Sequence, residues 1–247
     1  MAVDAGPSHD CPDCPRLVAF RATNRAAYPE WWNAPVPTFG DADARVAIVG
    51  LAPGLRGANR TGRPFTGDYA GDLLYSTLIE FGFASGVYDR RPDDGLTLVD
   101  CAIINAVRCV PPQNKPTPAE IATCRRYLMP AIWALPRLKV MVALGRIAHE
   151  STLRALKLST GKFPFAHGAR HSLTPAGVSL FDSYHCSRYN TNTGVLTDAM
   201  FRQVFASVRA ELDRADLQAT VWGDGKAQTQ GARSKGGRSE HTCFRPD

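Results

Sequence analysis

The stretch that decides the fold is VAIVGLAPGLRGANRTGRPFTGDYAG, which runs from Val46 to Gly71. Its first four residues are apolar, as in a buried strand, and the 22 residues from Gly50 onward contain six glycines, three arginines and one phenylalanine. A strand that leads through a glycine-rich loop into a helix is typical of open α/β sheets, whose ligands bind beyond the carboxyl ends of the strands. No Gly-Lys-Ser/Thr follows the glycines, so the loop is not a nucleotide-binding P-loop. The stretch predicts a site for another phosphate-bearing or heterocyclic ligand.

The rest of the chain repeats the alternation of strand and helix. Apolar runs rich in β-branched residues predict buried parallel strands at Arg45–Leu51, Leu96–Val107, Lys139–Leu144 and Val178–Tyr184. Helical patterns predict helices at Tyr69–Phe81, Thr117–Leu135, Arg146–Leu156 and Thr197–Leu212. The alternation predicts an α/β fold with one parallel sheet covered by helices on both faces.

Composition sets broad limits on function. The chain has 247 residues, of which 44% are hydrophobic, so it can bury a sizeable core. Its net charge of +6 and pI near 9.0 mildly favour a polyanionic partner. The N-terminus lacks the pattern of a signal peptide, and no apolar run approaches the roughly 18 residues that span a bilayer. We therefore expect a cytoplasmic protein without a membrane partner, whose seven cysteines do not form structural disulfides.

The chain divides into one domain and a tail. Residues 1–222 are predicted to form a single domain, with residues 1–40 as an irregular N-terminal arm that contains one helix. Residues 223–247 are rich in Gly, Ser, Gln, Lys and Arg and nearly lack apolar residues, which predicts a disordered basic tail.

Each predicted strand is followed by a polar cluster. The clusters are Gly50–Gly71, Asn105–Lys115, Gly145–His149 and His185–Gly194. Because the carboxyl ends of parallel strands lie on one edge of a sheet, we expect the four clusters to form one composite site.

Four of the cysteines have the spacing of a metal site. Cys11 and Cys14 form a CxxC pair, while Cys109 and Cys124 lie on either side of a proline-rich loop and a helix start. Four thiolates in two such pairs suit a structural metal. The spacing does not separate zinc from an iron–sulfur cluster. The alternative is that Cys124 faces the core while Cys11 and Cys14 form a loose surface pair.

Together these segments resemble the family 5 uracil-DNA glycosylases of the UdgB type. The resemblance rests on GLAPGLRGANRTGRPFTGDYAGD, IINAVRCVPPQNKPTPAE, ALGRIAH, HCSRYNTNTGVLT and the N-terminal CPDC. It implies a three-layer α/β/α fold around a four-stranded parallel sheet, with a [4Fe-4S] cluster on the four cysteines tying down the arm. It also implies a monofunctional enzyme that hydrolyses the N-glycosidic bond of a deaminated base in single- or double-stranded DNA and leaves an abasic site. We expect the enzyme to be a monomer that associates with the nucleoid when it is on DNA.

The resemblance implies contacts between four side chains and an extruded base. Phe65 would stack on the base, and Asn105 would bind its edge, with Asn114 as the weaker candidate for the same task. His185 would face the carbonyl oxygen that gains negative charge as the bond breaks. Plainer roles are also open: Phe65 as a core residue, the asparagines as turn residues and His185 as the cap of a strand.

The first motif lacks the side chain that positions water in other uracil glycosylases. It reads Gly50-Leu51-Ala52-Pro53-Gly54, where the family 4 enzymes have a glutamate. Asp68 is the carboxylate best placed to substitute, and its plainer role is the N-cap of the following helix. The apolar Leu51 and Ala52 leave a roomier base pocket, which predicts activity on uracil and also on hypoxanthine or other altered bases.

Polar residues of the same edge are candidates for contacts with DNA. They are Arg60, Arg63, Lys115, Ser187, Arg188 and Asn190. Taken singly, each is a common surface group, and the prediction depends on their shared position. If several of them bind phosphate, activity should fall steeply with salt.

Two other classes of function stay open on the residues alone. One is a non-catalytic, metal-stapled nucleic-acid-binding module, which explains the cysteines and the charge but not His185 and Asp68 at the ends of strands. The other is a small-molecule hydrolase or transferase on a doubly wound sheet, which predicts no affinity for DNA. Release of free uracil that depends on His185 or Asp68 distinguishes the glycosylase from both.

Overall fold

The computed structural model describes residues 6–173 and 177–228, with side chains up to residue 218. Its strands are β1 (Phe39–Gly40), β2 (Val46–Gly50), β3 (Ala84–Ser85), β4 (Thr97–Leu98), β5 (Cys101–Asn105), β6 (Val140–Leu144), β7 (Arg170–Leu173) and β8 (Val178–Ser183). Its α-helices are α1 (Pro15–Ala27), α2 (Ala58–Thr61), α3 (Tyr69–Glu80), α4 (Pro118–Trp133), α5 (Arg146–Ala155), α6 (Arg188–Asn192) and α7 (Asp198–Gln228).

The main sheet has the strand order β1-β5-β2-β6-β8-β7. Its four central strands are parallel, and β1 and β7 are antiparallel strands at the two edges. The predicted α/β fold with a central parallel sheet is therefore confirmed. The edge strands were missed by the sequence analysis because β1 has only two residues and β7 is largely polar.

The predicted strand Leu96–Val107 is divided in the structure. Asp100 has a φ of 53°, which no strand residue adopts, and it separates β4 from β5. Its carboxylate accepts a hydrogen bond from the Arg45 backbone N–H at 2.9 Å and forms an ion pair with the Arg45 guanidinium. This pairing holds the chain at the entrance of both β2 and β5.

The central strands are buried along their whole length because helices lie on both faces of the sheet. All five residues of β2 are buried, which explains its continuous apolar run. On one face, Ala47 and Val49 belong to the same core cluster as Leu128 of α4 and Leu153 of α5. The alternate residues of the strands point to the opposite face, and Ile48 among them is fully buried.

Helix α4 begins where its sequence predicts. The Thr117 hydroxyl accepts a hydrogen bond from the Glu120 N–H, the Glu120 carboxylate accepts one from the Thr117 N–H, and Pro118 is the first helical residue. Arg16 of α1 forms an ion pair with Glu120 at 2.7 Å, which joins the N-terminal arm to this helix start. The arrangement places Cys124, in the second turn of α4, next to the arm.

The C-terminal part of the chain differs from the expectation. The described part of the chain divides into two compact units, one ending at Arg209 and one beginning at Ala210. Helix α7 continues to Gln228, so residues 223–228 are helical where the composition predicts a disordered tail. No proline follows residue 198 within the helix, and nothing else in its sequence stops it at the expected end. Residues 229–247 lie outside the described residues, and the domain boundary stays a prediction.

Among the described residues, no helix combines the length and the apolar character needed to cross a bilayer.

Candidate active site

The carboxyl ends of the parallel strands open onto a cavity of about 800 Å³, here named the rim cavity. Its walls come from Leu51–Ala58, from the segment between Phe65 and Ala70, and from Asn105, Asn114, His185, Ser187 and Arg188. The strand register brings these segments together, because Gly50 pairs with Asn105 and Leu144 pairs with Ser183. Three of the four predicted polar clusters therefore contribute to one site.

Phe65 and His185 form adjoining walls of the rim cavity. Their ring centroids are 5.8 Å apart, and the ring planes are inclined by 28°. Phe65 has a φ of 53°, in the left-handed region that aromatic residues rarely adopt, so the surrounding contacts must stabilise it. The Tyr88 hydroxyl donates to the Phe65 carbonyl at 3.0 Å, and the Tyr75 hydroxyl donates to the carbonyl of Pro64. The loop therefore holds the ring at the cavity.

Arg63 also stabilises the loop that carries Phe65. Its guanidinium donates to both carboxylate oxygens of Asp94, at 2.8 and 2.7 Å, and to the Thr66 hydroxyl at 2.7 Å. These hydrogen bonds hold the pKa of Asp94 well below its usual range. Arg63 is buried, and its charge is matched inside the protein. The prediction that Arg63 contacts DNA is therefore wrong.

Asn105 ends β5 with an unsatisfied amide oxygen. The residue is 3% exposed, and its Oδ1 atom is buried without a hydrogen-bond partner among the described residues. Such an atom costs about 1–3 kcal/mol when it stays unpaired, so its position on a cavity wall indicates a ligand that donates a hydrogen bond. A Cβ built at Gly50 would lie 2.5 Å from this oxygen. Glycine at position 50 therefore leaves room for the amide.

His185 provides a neutral hydrogen-bonding ring. Burial lowers its pKa to about 4, so the imidazole is uncharged at pH 7 and carries one N–H donor. The Asn190 side-chain amide donates to the His185 carbonyl at 2.8 Å, and the Cys186 thiol donates to the Ala70 carbonyl at 3.5 Å. These two contacts fix the loop after β8 to α6 and to the start of α3.

Asp68 is at once the N-cap of α3 and a wall of the rim cavity. Its Oδ1 atom accepts a hydrogen bond from the Gly71 N–H at 3.2 Å. Burial raises the pKa of Asp68, and hydrogen bonds from the Gly71 and Ala70 backbones oppose this rise. A Cβ built at Gly54 would lie 3.2 Å from Oδ2, and one built at Gly57 would overlap the carboxylate. The second oxygen is therefore directed at the glycine loop of the cavity.

Several of the other predicted residues line or support the rim cavity. Ala52, Asn114, Ser187 and Arg188 line it directly. The Ser187 hydroxyl accepts a hydrogen bond from the Asn190 N–H at 3.4 Å and so caps α6. Asn190 thus supports the loop that carries His185, in addition to any contact with DNA.

Some predicted DNA contacts lie outside the lining of the cavity, and some residues of the lining were not predicted. Arg60 and Lys115 are exposed but are not part of the lining. Arg56 and Tyr69 line the cavity and were not among the candidates. The sequence could have indicated both residues, because Arg56 lies within the glycine-rich loop and Tyr69 directly follows Asp68.

The four predicted metal ligands line one small internal cavity between α1, the loop after β5 and α4. Cys11, Cys109 and Cys124 are buried, Cys14 is partly exposed, and none of the four forms a disulfide. The Arg21 guanidinium donates to Cys109 Sγ at 3.6 Å and to the Cys11 carbonyl at 3.0 Å. The structure thus brings together the four cysteines that the sequence analysis grouped.

Known proteins match the chain over most of its length. A family model described as "Uracil DNA glycosylase superfamily" matches residues 37–209. The "Type-5 uracil-DNA glycosylase" of Thermus thermophilus is 48% identical over 204 residues, which are 81% of this chain and 92% of that protein. The chain belongs to the uracil DNA glycosylase superfamily. A second "Type-5 uracil-DNA glycosylase", from Pyrobaculum aerophilum, is 39% identical over 82% of this chain and 89% of that protein.

Within the superfamily, the match to Type-5 proteins is the more extensive. The "Type-4 uracil-DNA glycosylase" of Archaeoglobus fulgidus is 39% identical over 116 residues, only 47% of this chain and 50% of that protein. The predicted resemblance to family 5 is therefore confirmed. It agrees with a first motif that lacks a carboxylate.

The fourth predicted polar cluster, Gly145–His149, does not join the site of this superfamily member. His149 is buried and lies 2.7 Å from Asp182 and 2.8 Å from the Phe163 carbonyl through its two ring nitrogens. His171 lies 3.0 Å from the other oxygen of Asp182. Burial lowers the pKa of His149, but the hydrogen bond and charge of Asp182 outweigh it and raise the pKa overall. Both ring nitrogens of His149 face acceptors. His149 therefore belongs to an internal ion pair with Asp182 rather than to a ligand site.

We expect the substitution Gly50→Ala to disable this glycosylase site while the protein stays folded. The added Cβ would lie 2.5 Å from Asn105 Oδ1 and 2.9 Å from Phe65 Cζ, so both side chains would have to move. A displacement of about 1 Å costs on the order of a hundredfold in rate, and the measurement is base release with circular dichroism as the check on folding.

The matched control is Gly161→Ala, whose Cβ would meet only Ser159 Oγ at 3.8 Å. It should behave like the wild type. Full activity of Gly50→Ala would show that Asn105 and Phe65 are not needed where the structure puts them.

Proposed function

We propose that the protein excises uracil from DNA by hydrolysing its N-glycosidic bond and leaving an abasic site. The observation that carries this proposal is the unpartnered Asn105 amide oxygen in a cavity whose adjoining walls are Phe65 and His185. The Type-5 relatives, which are named as uracil-DNA glycosylases, support it. A base within a duplex cannot reach these groups, so the reaction requires the nucleotide to be extruded first.

Asn105 matches the edge by which uracil differs from cytosine. Uracil has an N–H donor at N3 beside a carbonyl acceptor at C4, whereas cytosine has an acceptor at N3 beside an amino donor. The Asn105 side chain offers an acceptor and a donor in the complementary arrangement. Its buried oxygen would accept from N3–H of uracil but would face the lone pair of N3 in cytosine. The contact therefore selects the deaminated base.

His185 stabilises the leaving base. When the bond between C1′ and N1 breaks, the electron pair stays on uracil and its negative charge spreads onto the carbonyl oxygens. A neutral imidazole donates one N–H to such an oxygen, and one donor of this kind contributes about a hundred- to a thousandfold in rate. Burial keeps the ring neutral down to about pH 4, its lowered pKa. Phe65 holds the base by stacking, which is worth about 1–3 kcal/mol per base.

Asp68 acts on the sugar side of the bond. The oxygen of a water molecule forms the new bond to C1′, and the carboxylate accepts a proton from that water. The pKa of Asp68, raised by burial, makes this carboxylate a stronger base than an exposed aspartate. The departing N1 takes a proton in turn, so the products are free uracil and an abasic sugar.

The direct test of the function is a strand-nicking assay on a uracil oligonucleotide after treatment with alkali. The wild type should convert the oligonucleotide to nicked product, and His185→Ala should reduce the rate by about a hundred- to a thousandfold. A protein that binds the oligonucleotide without ever forming abasic sites would be the non-catalytic module instead.

The two roles of Asp68 are separated by comparing Asp68→Asn with Asp68→Ala. Asparagine is an equally good N-cap, so we expect Asp68→Asn to keep its stability, while Asp68→Ala loses about 1 kcal/mol of unfolding free energy. Both variants lack the base, so base release should fall by about a hundredfold or more in each. Activity retained by Asp68→Asn would leave Asp68 as a cap only.

The same carboxylate determines the acid side of the pH profile. Asp68 must be ionised to accept a proton, so activity is lost as the pH falls through its pKa, which lies above the ordinary 3.8. The profile of kcat/KM on the uracil oligonucleotide measures this limb.

We further propose that the enzyme accepts hypoxanthine and other altered bases, in single- and double-stranded DNA. Hypoxanthine presents an N–H donor beside a carbonyl acceptor, the same pair that uracil presents, so Asn105 would bind both. The cavity of about 800 Å³ and its apolar Leu51 and Ala52 support a pocket with room for a purine.

Turnover on matched uracil and hypoxanthine oligonucleotides tests this breadth. We expect both bases to be released, and we expect Ala52→Leu, which narrows the pocket, to impair hypoxanthine release more than uracil release. Strict specificity for uracil in the wild type would contradict the proposal.

We propose that Cys11, Cys14, Cys109 and Cys124 hold an iron–sulfur cluster with a structural role. The donor set fits such a group, since the four thiols line one cavity and the buried Arg21 has no carboxylate partner among the described residues. Its N–H donates to Cys109, and the Arg108 backbone N–H donates to Cys124 Sγ at 3.3 Å. Donors of this kind stabilise thiolates, the form in which the four cysteines would hold the cluster. When bound, the cluster would join the arm to α4.

Zinc is the alternative to the cluster, because four thiolates also suit a tetrahedral zinc ion.

Absorption spectroscopy distinguishes the two metals. We expect the purified protein to be brown, with broad visible absorbance and iron and sulfide in the analysis, and Cys109→Ser to lose the colour. A colourless preparation that contains zinc would overturn the cluster.

Exposed basic residues of the rim would bind the DNA backbone. Arg188 lines the rim cavity, and Arg60 and Lys115 are exposed, so these are the proposed phosphate contacts. Their number predicts a fall of activity with increasing salt. We propose that the protein works on DNA inside the cell as a monomer.

A further inference from the structure

Two further cavities extend the rim cavity along the N-terminal arm. The inner one, of about 360 Å³, is lined by Tyr28, Trp31, Arg56, Arg60 and Gly67. Arg56 and Gly67 also line the rim cavity. The outer one, of about 450 Å³, shares Trp31 and Arg60 with the inner one. The inner and outer cavities therefore lie next to each other on the side of the rim cavity, and together they are here named the arm groove.

The aromatic wall of the arm groove is held in place. Trp31 stacks on Tyr28, with ring centroids 4.0 Å apart and ring planes inclined by 8°. Trp31 borders both cavities of the groove, so it forms the wall common to them. The backbone N–H of the neighbouring Trp32 donates to the Arg60 carbonyl at 3.1 Å, which joins this turn of the arm to α2. The platform therefore needs little ordering when a ligand binds.

Positive charge lies at the inner end of the arm groove. Arg56 and Arg60 are exposed, and neither has an ion-pair partner among the described residues. Arg60 Nε donates to the Arg56 carbonyl at 3.0 Å, which leaves the terminal nitrogens of its guanidinium for other contacts. At the outer end, Arg90 is already paired with Asp72, and Glu30 contributes an acid. The charge available to an anion is thus concentrated next to the rim cavity.

We propose that the arm groove binds the nucleotides that flank the extruded base on the same DNA strand. A flanking base would stack at Trp31, and the intervening phosphate would lie between Arg56 and Arg60. Aromatic platforms beside unpaired basic side chains are how proteins hold single strands without reading their sequence. This inference rests on the proposed function, because the groove begins at the cavity that would receive the base. It predicts a preference for single-stranded or locally opened DNA, since a base within a duplex does not expose its face.

The test compares kcat/KM on two single-stranded substrates: deoxyuridine 3′,5′-bisphosphate, which has no flanking base, and a 15-residue oligonucleotide with a central uracil. The wild type should favour the longer one. Trp31→Ala should reduce this advantage by about tenfold, as expected for the loss of one base–aromatic stack, and should leave the rate on the bisphosphate unchanged. Trp31→Phe should retain most of the advantage. Trp133→Ala removes an exposed tryptophan at the end of α4, outside the groove, and should have no effect.

A second measurement is independent of catalysis. Fluorescence anisotropy of a labelled, uracil-free oligothymidylate should show weaker binding to Trp31→Ala than to the wild type, and Arg60→Gln should reduce the salt dependence of binding by about one counterion. A folded Trp31→Ala with the wild-type length advantage and the wild-type affinity overturns the arm groove while base release continues. Failure of the wild type to release base from either substrate would instead overturn the proposed function, and the binding result would still decide the groove.

Discussion

The parallel register of the central strands is the constraint on which the site depends. β2 is hydrogen-bonded on both sides, so Gly50 is held beside Asn105, and Val49 beside Ala143. The pairing of β6 with β8 then places Ser183, two residues before His185, at the same edge. Adjacent strands lie about 4.8 Å apart, so groups from distant parts of the chain begin within reach of one another. The pairing of the strands already orders these groups, so the loops after the strands span only short distances.

A second constraint is needed because Phe65 does not belong to a strand. Its backbone is in a region that aromatic residues avoid, and the buried pair of Arg63 and Asp94 stabilises the loop from the inner side. Breaking a buried pair by removing one partner costs several kcal/mol, so the loop is held firmly. Rigid support of this kind gives the ring one position, which a stacking surface requires.

The parts of the fold that depend on local pattern could be predicted from the sequence. The expected helix Thr117–Leu135 agrees with Pro118–Trp133 because its capping box and proline are adjacent in the chain. Buried parallel strands were recognisable because most of their residues are apolar. The edge strands β1 and β7 were not, because a short or polar segment becomes a strand only when a neighbour offers it hydrogen bonds.

The site followed the same rule. Residues at or just beyond the carboxyl ends of strands, such as Asn105 and His185, could be placed at one edge from the topology alone. Arg63 could not, since its partner Asp94 is 31 residues away in another loop and nothing local signals the pairing. His149 was expected at the edge for the same reason that His185 was, but Asp182 on the neighbouring strand draws its ring into the interior. The predicted and observed sites differ because composition and periodicity do not encode the long-range pairing of charges.

Asp68 shows how one residue can satisfy two requirements that oppose each other. A helix N-terminus favours the ionised form of its cap, because the backbone N–H groups of Gly71 and Ala70 donate to the carboxylate. Burial at the cavity wall favours the neutral form, and burial is the larger effect, since the pKa of Asp68 is raised overall. A carboxylate needed only as a cap would be more stable at the surface. There the backbone N–H groups favour its charge, and the charged carboxylate stays hydrated. Its position against Gly54 and Gly57, where any other residue would displace it, therefore argues for a role in the cavity. The cap fixes the carboxylate in place, and the burial that destabilises its charge strengthens it as a base.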